Sequence, residues 1–76
     1  NAEVKFILAE AQFATNKTAA YDAYLAGIRA SMEKVGVSSA NINTYVADPK
    51  ISMGADNLTM SDIMVQKYIA LFLNMQ

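Results

Sequence analysis

The first fourteen residues set apolar side chains at helical intervals. Val4, Ile7, Leu8 and Ala11 repeat at spacings of three and four, and Phe6 and Phe13 stand seven apart on an adjoining face. The spacing predicts a helix over about 2–14, packed against more than one neighbour because two of its faces are apolar. Asn16 and Lys17 make the turn after it. A second helix is predicted over about 19–35, beginning behind Asn16 or Thr18, either of which can accept a hydrogen bond from an otherwise unpaired backbone N–H.

That second helix carries two stripes. Tyr21, Leu25, Ile28, Met32 and Val35 make the large one, and Ala20, Ala23, Gly27 and Ala30 make a small one. Glycine inside a helix costs about 1 kcal/mol relative to Ala, so Gly27 implies a neighbouring backbone close against it. Gly36 suits the left-handed position after the helix, with Val37 closing back toward Met32 in a Schellman arrangement. A short helix over about 39–47, started by Ser38 or Ser39, turns Ile42, Tyr45 and Val46 inward; Pro49 ends it by biasing Asp48 away from helical angles. Residues 50–57 read as loop, with Gly54, Asp56 and Asn57 supplying turn chemistry.

The last predicted helix, about 59–73, has the strongest start. Thr59 is the cap, Asp62 stands three residues on in place of the usual Glu, and Leu58 and Ile63 form a hydrophobic staple across the cap. Apolar residues from Ile63 to Leu73 leave only a narrow polar strip through Gln66, Lys67 and Asn74, which predicts a mostly buried helix. Four helices and no strand give an all-α class, the first two helices forming an antiparallel hairpin of the size of a tetratricopeptide pair. The 76 residues contain no second copy of that hairpin, and the diagnostic Trp is absent.

Composition changes this picture in one respect. A chain of 76 residues buries only about 60% of its unfolded surface, yet 54% of its residues are hydrophobic and only 17% charged. The apolar excess predicts that protein outside this sequence covers part of it, so the chain reads as a fragment of a larger domain. Asn1 opens it without a basic and apolar leader, which places any targeting signal elsewhere.

Charge and residue types narrow the chemistry. Six basic and seven acidic residues nearly balance, and Lys5, Lys17, Arg29, Lys34, Lys50 and Lys67 form no stripe that would track a nucleic acid. No apolar run approaches the ~20 residues that span a bilayer. Cys and His are absent, which removes disulfides, thiolate ligands and the commonest metal ligand. Ser31, Ser38, Ser39, Ser52 and Ser61 have no His to form a triad with.

Glu3 and Glu10 are the one regularly spaced carboxylate pair, with backbones roughly 10 Å apart; a solvated or hydrogen-bonded face is favoured over paired-acid hydrolysis. Arg29 and Glu33 have the spacing of a surface ion pair on one helix. Asp48, Asp56 and Asn57 lack the alternating ligand order of a calcium loop and read as loop chemistry. Tyr21, Tyr24, Tyr45 and Tyr68 offer faces on which a sugar ring stacks, although core packing is favoured for those on stripes; Tyr45, near a helix end, is the least constrained. Met53, Met60 and Met64 around the last helix start read as gap fillers. No catalytic, cofactor-binding or metal-ligating residue is assigned.

Three stretches taken in order carry a resemblance: Lys5 to Ala11 (KFILAEA), Gly27 to Val37 (GIRASMEKVGV) and Ile63 to Asn74 (IMVQKYIALFLN). Together they resemble the SusD/RagB family of outer-membrane lipoproteins, especially its starch-binding-associated branch, and the third stretch is the most distinctive. The resemblance implies a mostly helical, non-catalytic nutrient-binding protein with tetratricopeptide-like helix pairs, without a cofactor. It implies an N-terminal lipidated Cys outside this segment, the surface of a Bacteroidetes-type outer membrane, and a TonB-dependent SusC-like transporter as partner in polysaccharide utilisation. Glycans in this family are held by aromatic and polar residues on separate loops, so no sugar-binding residue is carried over. The alternative reading of the residues is an independent tetratricopeptide-like protein-interaction module.

Overall fold

The computed structural model describes residues 2–73, and among them every regular element is helical: α1 (Ala2–Gln12), α2 (Lys17–Lys34), α3 (Ser39–Ala47), a single 3-10 turn (Ala55–Asn57) and α4 (Met60–Leu73). Asn74, the end of the predicted polar strip, lies outside the described residues. No described helix is long and apolar enough to cross a membrane.

Local chemistry sets the boundaries. Between Asn16 and Thr18, the structure selects Asn16 as the cap of α2: its Oδ1 accepts the Ala19 N–H at 3.1 Å. A non-helical residue is needed there, and Asn16 adopts φ −151° and ψ 87°. The predicted helix to residue 14 therefore stops at Gln12, whose carbonyl accepts the N–H groups of Thr15 and Asn16 in a turn, and α2 starts two residues earlier than predicted. At its other end Gly36 takes φ +88°. Its N–H donates to the Glu33 carbonyl and the Val37 N–H to the Met32 carbonyl, both at 3.0 Å, which is the Schellman pattern the sequence predicts. Ser38 caps α3 by accepting the Asn41 N–H.

The cap of α4 is reciprocal. The Thr59 N–H and hydroxyl both donate to Asp62 Oδ2, at 2.9 and 2.8 Å, and the Asp62 N–H donates to Thr59 Oγ1 at 3.2 Å. Asp62 thus takes the place of the usual Glu, and the staple residues Leu58 and Ile63 are both fully buried in the core. Thr59→Ala is expected to cost about 1 kcal/mol and to lower the melting temperature by about 4–8 °C. Thermal unfolding followed by circular dichroism checks this; an unchanged melt would show that the cap does not stabilise the fold.

α2 is the hub, in contact with α1, α3, α4 and the 3-10 turn, and α1 also packs on α4. The body measures 33 × 24 × 16 Å, so its thin axis is about two helices deep. The core is built around Phe6, Tyr24, Leu58 and Ile63, with Ile28 and Val46 beside them, among Ala2, Ala9, Ala20, Ala23 and Ala70. Small residues let α1 and α2 approach closely. A Cβ on Gly27 would stand 2.9 Å from Cε1 and Cζ of the Phe6 ring. The close neighbour at Gly27 is therefore an aromatic ring, where the sequence predicts a backbone.

Burial differs from prediction on three helices. On α2 three members of the small stripe, Ala20, Ala23 and Gly27, are buried with Tyr24, Ile28 and Ser31, while Ala30, Tyr21, Leu25 and Met32 pack at the core's edge and Val35 is exposed. On α1 the core face is Ala2, Phe6 and Ala9, and Val4, Ile7 and Leu8 point outward. At ~100° per residue these two sets lie on opposite sides of the helix. On α4 only Ile63 and Ala70 are buried. Val65, Tyr68, Ile69 and Phe72 are exposed, Tyr68 by 62% and Phe72 by 66%, so the predicted mostly buried helix is open on its outer face. The reason is the same for α1 and α4. A helix as apolar as α1 or α4 has more greasy surface than one neighbouring layer covers.

Candidate functional site

α3 and α4 both pack on α2, and among the described residues they meet one another through side chains and not by close backbone approach. The space between them is a groove of about 200 Å³. Its floor comes from α2, through Ile28, Ser31 and Met32, with the edge of Phe6 from α1; α3 contributes Tyr45, and α4 contributes Gln66, Ile69 and Leu73. One polar contact spans it: the Gln66 amide nitrogen donates to the Tyr45 hydroxyl oxygen at 3.3 Å. Among the described residues the lining carries no carboxylate, ammonium or guanidinium. The chemistry of that lining suits an uncharged, largely apolar group.

Tyr24 lies at the centre of the core, not in the groove. Its hydroxyl donates to the Ile51 carbonyl at 3.1 Å and so ties α2 to the segment between α3 and the 3-10 turn. Its ring stacks with that of Tyr21, centroids 6.1 Å apart. Burial, then the Asp62 carboxylate, then the Tyr45 and Tyr21 hydroxyls push its pKa up to about 12 from 10.0. A raised acid pKa means that the folded state holds the proton more tightly than the unfolded chain does. The stability from this group is complete below pH 10 and is lost as pH rises toward about 12. Tyr24→Phe is expected to cost about 1 kcal/mol at neutral pH, through the unpaired Ile51 carbonyl, and to flatten the fall in stability above pH 10. Urea unfolding at a series of pH values checks both.

The other residues singled out in the sequence fall into ordinary structural roles. Glu3 is exposed on α1. Glu10 instead faces α4, where Lys67 Nζ reaches its two carboxylate oxygens at 3.2 and 3.5 Å, with both side chains roughly a quarter exposed. The two carboxylates do not converge on one site. Arg29 does not pair with Glu33; its Nη1 donates to Asn43 Oδ1 at 2.9 Å and links α2 to α3. Asp48 Oδ1 accepts the Lys50 N–H and Asn57 Nδ2 donates to the Met53 carbonyl, so both serve their own turns. Among the described residues no group of three His, Cys, Asp or Glu side chains converges as a metal site would require.

Met53 packs on the core and Met60 is exposed. Ser52 donates to the Asp48 carbonyl. Of the four tyrosines, Tyr68 has the most open ring and Tyr45 is half-buried at the groove, the reverse of the order the sequence suggests. Helix ends are not intrinsically freer than helix middles here, because the outer face of α4 is uncovered along its length.

Two groove residues, Ser31 and Gln66, are not readable as site residues from the sequence. Ser31 is an inconspicuous polar position beside the small stripe. Gln66 and Lys67 read as a solvent strip, whereas they face α3 and α1. The weak signal is their isolation: two adjacent polar residues in an otherwise apolar helix have cross-helix partners as an alternative to water.

Taken together, the fold and groove define an all-α packing unit whose distinguishing surfaces are neutral and apolar. The family of SusD-like proteins described as starch-binding and associating with the outer membrane matches residues 1–76. The chain belongs to that family, as its three resembling stretches imply. No curated protein and no solved structure matches it.

Proposed function

We propose that this chain is helical scaffold within a larger SusD-like domain, in a non-catalytic, lipid-anchored glycan-capture protein that caps a SusC-like TonB-dependent transporter at the cell surface. Family membership across the whole chain supports the outer-membrane and glycan-binding parts of this reading. The scaffold role rests on one observation: the apolar stripes of α1 and α4. Val4, Ile7, Leu8 and Ala11, and again Val65, Tyr68, Ile69 and Phe72, follow the same i, i+3, i+4, i+7 spacing on faces turned away from the core. That spacing is the template of a helix meeting another helix. Further helices of the same domain, paired as in tetratricopeptide arrays, would cover both.

The test uses the whole protein that carries this segment. Isolated from outer membranes, it is expected to co-purify with a TonB-dependent transporter. It should also be retarded by starch or another polysaccharide in affinity electrophoresis, with no release of reducing ends. Turnover of the glycan would overturn the non-catalytic reading, and a protein that neither meets a transporter nor retains any polysaccharide would overturn the rest.

A further inference from the structure

We draw no further inference here: the strongest candidate, the apolar groove of about 200 Å³ between α3 and α4, has a neutral lining that selects no particular ligand, and nothing in the structure shows what covers it.

Discussion

Replacing Phe6 by Ala is expected to lower the unfolding free energy by about 3–5 kcal/mol, a large share of the about 4–11 kcal/mol that about 0.05–0.15 kcal/mol per residue gives a chain of 76 residues. The ring is fully buried and lies over the backbone of Gly27. Its removal leaves a cavity that two rigid helices cannot collapse into. The reciprocal change, Gly27→Val, pushes a side chain into the space the ring occupies and is expected to cost about 1–3 kcal/mol through overpacking. Gly27→Ala is milder, because the ~1 kcal/mol gain in helix propensity opposes the clash. Chemical denaturation of the single and double variants checks the pairing. The loss in the double variant Phe6→Leu, Gly27→Ala should fall short of the sum of the two single losses, because the smaller side chain makes room for the new methyl. Strict additivity would show that the two positions do not share one space.

The second large effect concerns solubility. The 76-residue chain by itself is expected to self-associate, since it displays Val65, Tyr68, Ile69 and Phe72 along one helix face and contiguous apolar surface of that kind drives association. Phe72→Ser removes about 1.5–3 kcal/mol of burial drive, which corresponds to association weaker by roughly ten- to a hundred-fold. Tyr68→Ser should act in the same direction. Sedimentation velocity over a range of concentrations reads the effect directly. A cooperative monomer at all concentrations would count against the reading of this chain as part of a larger packed domain. Helix content should survive both substitutions, because neither residue contributes to the core.

The contrast between Phe6 and Phe72 shows what the sequence makes legible. Stops and starts are readable where one residue meets a specific backbone requirement, as with Gly36 at φ +88°, Pro49 after Asp48, and Thr59 with Asp62. These are local interactions, decided within four residues. The facing of α1 is not readable from its pattern. Val4, Ile7, Leu8 and Ala11 form the more regular stripe, yet Phe6 seats on Gly27 and turns that stripe outward. Periodicity reports that a face is apolar; it does not report which neighbour the face meets. The same limit explains α2, where close approach favours Ala20, Ala23 and Gly27 over the larger Tyr21, Leu25 and Met32. Of the candidate site, Tyr45 is visible as an inward residue of the short helix and the least constrained of the tyrosines, but the groove itself depends on the gap between α3 and α4, which no local pattern encodes.

The Glu10 and Lys67 contact joins side chains 57 positions apart. The tie from Tyr24 to Ile51 spans 27. Closing a flexible loop costs chain entropy that grows with the logarithm of its length, so these links differ in when they can form during folding. The α1 and α2 hairpin needs only a short turn, and its contacts are available early. The contact between Lys67 and Glu10 is expected to follow α3, the 3-10 turn and the cap of α4, which shorten the effective path between them. The ion pair is therefore expected to form late, and its loss to speed unfolding more than it slows folding, which stopped-flow unfolding and refolding rates would check.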